Sequence, residues 1–151
     1  MNLQQLTELE NIRQAKARYC RFIDLKQWDS LKQLFAPQAH LAFYGVAGEL
    51  LYEFSDLEQF IELTAATLHG AQTIHQVHNP EIELTTATTA SAIWSMEDYI
   101  VFPASNSEGS RSMHGYGHYH ETWHHADGDW IITHLELRRT IFEIQKQDHQ
   151  A

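Results

Sequence analysis

The feature that most constrains this chain is a long stretch of alternation in its second half. From Thr73 to Ile144, residues of the β-forming kind (Val, Ile, Thr, Tyr, Trp) recur at alternate places, broken only by short turn signals. Residues 73–85 read as one strand region, with Pro80 marking a bulge or an edge position. Residues 88–102, 114–125 and 130–144 read as three more. A polar loop spans 103–111, and Asp127-Gly128 is a hairpin signal. Strands this long generally curl when they pair, and helices then cover the concave side.

The first half supplies the helices. Leu9, Ile12, Tyr19, Phe22 and Ile23 share one face of a helix over roughly residues 7–25. A second, short helix starts at Asp29 or Ser30, carries Leu31, Leu34 and Phe35, and ends at Pro37. Residues 40–44 and 50–54 read as short strands around Gly45 and Gly48. Ser55-Asp56-Leu57-Glu58 has the capping-box pattern, opening a helix to about Leu68, with Gly70 as its stop. Helices first and antiparallel strands after them define an α+β protein. The curved sheet and the first helix are expected to enclose a small pocket.

At 151 residues the chain has the length of one domain, expected to span 1–151. Its net charge of −10 repels phosphate, which argues against nucleic acid and anionic membranes as partners. No apolar run is long enough to span a bilayer, and Met1-Asn2-Leu3-Gln4-Gln5 lacks a signal-peptide layout, so a cytoplasmic protein is expected. Cys20 is the single cysteine, which excludes an internal disulfide and a multi-cysteine metal site. Nucleophile elbow, phosphate loop and dinucleotide fingerprint are all missing, so no cofactor is expected.

A few residues sit where only chemistry or pairing would put them. Asp98 alternates with Trp94, Met96 and Ile100, on an apolar face where a lone carboxylate is costly. Arg139 is its natural counterpart, sharing a face with Ile131, Leu135, Leu137 and Ile141; it could pair with Asp98 or bind a ligand carbonyl or carboxylate. Tyr19 lies in the helical stripe, as a core tyrosine or a pocket hydroxyl. Asp24 lies near the helix end about 140° from Tyr19, so the two flank the stripe. His75 shares a strand face with Val77, as a structural imidazole or a general base. His118 and His120 share a face and could chelate, but no third ligand follows from the strand spacing, so no physiological metal is expected.

Together these residues resemble the SnoaL-like members of the nuclear transport factor 2-like superfamily. The matching stretches are Tyr19-Cys20-Arg21-Phe22-Ile23-Asp24 with Trp28-Asp29, Ile74 to Ile82, Trp94-Ser95-Met96-Glu97-Asp98, and Asp127-Gly128-Asp129-Trp130 before Arg139. The likeness is nearest to the bile-acid 7α-dehydratases and more distant to scytalone dehydratase. It implies a cone-shaped barrel: a strongly bent, mainly antiparallel sheet covered by N-terminal helices, with an internal pocket. It also implies an active site of Tyr19, Asp24, His75, Asp98 and Arg139, with His118 or His120 in the place of a second histidine, and a homodimer or homotrimer.

The resemblance implies a cofactor-free dehydratase or isomerase acting on an apolar, steroid- or polyketide-like carbonyl compound. His75 would take an acidic α-proton, Asp24 would orient the imidazole, and Tyr19 would hydrogen-bond the enolate or protonate a leaving hydroxyl. Asp98 and Arg139 would fix the polar end of the substrate. Two other functions are open to the same fold: a non-catalytic binding or oligomerisation module, and a β subunit of a ring-hydroxylating dioxygenase. Binding becomes the better reading if His75 and Asp24 are not within hydrogen-bond reach, or if Arg139 fills the cavity.

Overall fold

A computed structural model describes residues 1–106 and 109–148. The elements run α1 (Leu3–Asp24), α2 (Trp28–Lys32), β1 (Phe35–Tyr44), β2 (Leu50–Phe54), α3 (Leu57–Thr67), β3 (Gln72–Leu84), β4 (Thr89–Val101), β5 (Ser110–Ala126) and β6 (Asp129–Lys146). Ser107 and Glu108, in the loop expected over 103–111, lie outside the described residues. No helix among the described residues is long and apolar enough to cross a membrane.

Local chemistry sets the helix ends. The Asn2 side chain accepts the Gln5 backbone N–H and the Gln5 side chain accepts that of Asn2, each at 2.9 Å. This reciprocal cap starts α1 at Leu3, ahead of its apolar stripe. At α3 the cap is Asp56, whose carboxylate accepts the Glu58 N–H at 2.9 Å, in place of the box expected at Ser55. The second helix is shorter than the sequence suggests: it stops at Lys32, and Phe35 already belongs to β1. Pro37 lies within β1, not at a helix end. It falls where the β1–β6 ladder is interrupted, between Phe35 and His40, so its missing N–H breaks no regular pairing.

The strand order is β2-β1-β6-β5-β4-β3, antiparallel throughout except for the parallel β1–β6 pair. β2 and β3 end the sheet, so it is an open curved sheet and not a closed barrel. Bulges bend it. One falls in β3 between His78 and Glu81, at the Pro80 position, with Asn79 at φ +47°. Two more lie in β6, where Thr133 and Thr140 are extra residues against β5.

Each bulge in β6 switches the inward face. Trp130 and Ile132 point into the core before Thr133; Leu135, Leu137 and Arg139 do so after it; Ile141 is outside again beyond Thr140, 51% exposed. Arg139 therefore shares its face with Leu135 and Leu137 as expected, but not with Ile131 or Ile141. Ile12, Tyr19 and Ile23 of α1 join Trp94, Trp123, Ile132, Leu135 and Leu137 in one core. Each large apolar side chain there contributes on the order of 1.5–3 kcal/mol. Phe60 of α3 closes the same core against Phe35, Phe43 and Phe54, with ring centroids 5.6–5.9 Å away.

Candidate active site

The end of α1 and the start of β3 are held side by side. Lys26, at φ +54°, turns the chain out of α1, and its ammonium donates to the Ala71 carbonyl at 2.6 Å. That places Asp24 against His75, far away in sequence. Asp24 Oδ1 lies 2.7 Å from His75 Nδ1 and accepts the Thr73 hydroxyl at 2.9 Å. Asp24 Oδ2 accepts the His75 backbone N–H at 3.0 Å. A carboxylate at Nδ1 keeps the proton on that nitrogen and leaves the lone pair on Nε2. His75 Nε2 lies 4.0 Å from Asp98 Oδ2, beyond hydrogen-bond range.

His75 borders a cavity of about 180 Å³ between the sheet, α1 and α3. Its lining includes the polar groups of Tyr19, His75, Asp98, Tyr119 and Arg139, the hydroxyls of Tyr52, Thr64 and Thr67, and otherwise apolar side chains such as Phe54, Phe60, Ile100 and Leu137. Tyr19 and Tyr119 meet edge to face, with centroids 5.9 Å apart, and both line the cavity. Burial pushes both phenols well above their ordinary range, which keeps them protonated as donors.

Asp98 and Arg139 form a bidentate pair, at 2.9 Å and 2.8 Å. Burial alone would raise the Asp98 carboxyl, but the Arg139 hydrogen bonds and charge hold it below the usual carboxylate range. The fork fits because Gly115 sits opposite Asp98 on β5: a Cβ there would collide with the guanidinium and lie 2.6 Å from Asp98 Oδ1.

His118 and His120 are not in this pocket. β5 alternates with Tyr119, Glu121 and Trp123 buried, so both histidines face outward, opposite Arg138 and Glu136 of β6. Their expected place in substrate binding is corrected accordingly. Partial burial and the Arg138 charge hold the His120 imidazole below its ordinary range. Among the described residues no three of His, Cys, Asp and Glu are grouped to hold a metal ion.

Three residues near the site escape a reading of motifs alone. Tyr119 and Glu121 were signalled by alternation with Trp123, which assigns the odd-numbered positions inward. Lys16 was signalled by spacing, since it lies on the α1 stripe between Ile12 and Tyr19. It is completely buried and pairs with the equally buried Glu121.

An open curved sheet with helices over one face, enclosing a His–Asp pair and two tyrosines in an apolar pocket, defines the class of small cone-shaped α+β proteins. Within that class the chain belongs to the SnoaL-like domain family, which it matches over residues 4–136. It is 28% identical over 141 residues to a probable cyclase, FGR4, of Gibberella zeae, covering 88% of this chain and 91% of that protein. Its fold is similar to that of a putative scytalone dehydratase from Novosphingobium aromaticivorans, with a TM-score of 0.82 and 17% identity over 100% of this chain and 99% of the other. It is also similar to a type 2 hexachlorocyclohexane dehydrochlorinase, LinA, with a TM-score of 0.80 and 19% identity over 100% and 97% of the two chains. Each of these three relatives bears the name of an enzyme.

Proposed function

We propose that this protein is a cofactor-independent lyase or isomerase that removes a proton from the carbon beside a carbonyl in an apolar substrate. The observation that carries this is the 2.7 Å contact between Asp24 and His75 Nδ1. It supports a base at Nε2, beside a pocket whose protonated tyrosines can hydrogen-bond to negative charge.

In this reading His75 Nε2 takes the α-proton; the C–H electron pair becomes the C=C bond of an enolate and the carbonyl π pair moves onto the oxygen. Tyr19, backed by Tyr119, donates a hydrogen bond to that oxygen. The Asp24 carboxylate balances the imidazolium. For dehydration the enolate expels a β-hydroxyl, which leaves as water with the proton that His75 Nε2 took, so the imidazole returns to its neutral form. For isomerisation the proton returns to another carbon. The aromatic and aliphatic part of the lining suits a ring-based substrate, steroid- or polyketide-like.

The test is proton exchange at the α-carbon of a panel of cyclic β-hydroxy ketones in deuterated water, read by NMR, with enone formation followed alongside. Wild-type protein is expected to exchange or dehydrate at least one member, and His75→Ala to slow it by roughly 10²–10⁴-fold while staying folded. Equal rates for the two proteins would sink the reading.

A further inference from the structure

Lys16 occupies a place that the helix pattern reserves for an apolar side chain. It has no solvent exposure, and its ammonium pairs with Glu121 Oε1. The second carboxylate oxygen accepts both indole N–H groups nearby, Trp94 at 2.7 Å and Trp123 at 2.9 Å. On its other side the Lys16 ammonium lies 3.8 Å from the Tyr19 ring centroid and 3.7 Å from that of Tyr119. The result is a buried dipole with its negative end held by two tryptophans and its positive end on two tyrosine rings.

Those are the two rings that meet edge to face and line the pocket together. A cation against a ring face draws on its π electrons, and in a dry site the effect is little screened. Buried ion pairs contribute little to stability compared with apolar residues of similar volume, so stability is a weak account of this one. We propose that Lys16 is a positioning residue for the pocket's oxyanion site: it fixes the Tyr19–Tyr119 pair and strengthens its hydroxyls as donors to a negatively charged oxygen. This rests on the proposed function, in which those hydroxyls meet an enolate.

The experiment uses 4-nitrophenol and 4-nitrotoluene, similar in size and different in charge where the phenol is ionised. Each is titrated into wild-type protein and into Lys16→Met/Glu121→Gln, which neutralises both partners, with folding followed by circular dichroism. Loss of one direct oxyanion donor costs about 10²–10³-fold. Lys16 acts through the rings, and the double variant is expected to lose about tenfold in affinity for 4-nitrophenolate, with little change for 4-nitrotoluene. Equal losses for both ligands, or no loss, would overturn the proposal. If the double variant does not fold, the wild type decides: the Lys16 ammonium ¹⁵N resonance is expected to shift on binding 4-nitrophenolate and not 4-nitrotoluene, and equal shifts would overturn it. A wild-type pocket with no preference for the phenolate would overturn the enolate reading itself, and this proposal with it.

Discussion

Asp24 holds His75 at two points, the ring through Oδ1 at 2.7 Å and the backbone N–H through Oδ2 at 3.0 Å. One carboxylate thus sets both the tautomer of the imidazole and the position of the strand that carries it. Asp24→Asn keeps the shape and removes the charge. It would allow the amide to donate to Nδ1, putting the proton on the wrong nitrogen, as in the Asp→Asn change of a serine protease triad, where the loss is about 10⁴ in kcat. For this protein the expected loss is roughly 10²–10⁴ in kcat with the fold retained, measured on whichever ketone the wild type turns over. An Asp24→Asn variant with undiminished kcat would remove the carboxylate from the mechanism.

The parts of this site that the sequence displays are those fixed by short-range periodicity. Asp98 stands out because it alternates with Trp94 and Met96. The pairing of Asp24 with His75 is different: 51 positions separate them, and the contact exists only because α1 packs against β3. The family resemblance groups the two residues; the helical angles and strand alternation do not. Arg139 shows a third case. It faces inward as expected, although the apolar neighbours assigned to it are partly wrong, because Thr133 and Thr140 each shift the alternation by one place. A bulge leaves no hydropathy signature, so a face assigned across it is unreliable. His118 and His120 draw notice as a cluster, yet Tyr119 and Trp123 between and beside them already assign the inward face.

Because His118 and His120 point away from the cavity, His118→Ala and His120→Ala are expected to leave kcat and KM unchanged within about twofold, as for surface substitutions generally. The pair is the natural control for His75→Ala. A loss from either alanine as large as that from His75→Ala would mean that the outer face of the sheet takes part in turnover.

At both Gly115 and Gly117 of β5, an added Cβ would meet atoms of β6. At Gly117 the obstacle is backbone: an added Cβ would run into the Arg138 carbonyl and come within 2.8 Å of the Arg139 Cα. At Gly115 the obstacle is the Arg139 guanidinium, a side-chain end that can retract. Gly117→Ala is therefore expected to destabilise by about 1–3 kcal/mol or more, as overpacking does. Gly115→Ala is expected to cost less in stability and to loosen the Arg139–Asp98 fork, visible as a raised substrate KM. Thermal melts and steady-state kinetics on both variants would show whether the two glycines divide in this way.

Asp98 and Arg139 make a buried pair whose value depends on pH. The unfolded carboxyl titrates near pH 4, and in the folded protein Arg139 holds it lower. The pair's stabilisation is thus complete above about pH 4 and is lost as the pH falls through the lower, folded value. Asp98→Asn leaves Arg139 buried without its counter-charge, an expected loss on the order of 3–5 kcal/mol at neutral pH, or about 10 °C in Tm. Below the folded value the wild-type carboxyl is protonated too, so the gap between the two proteins should narrow as the pH drops. Melting curves recorded from neutral to strongly acidic pH test this directly. A gap that stayed constant over that range would show that Arg139 does not hold Asp98 as a carboxylate.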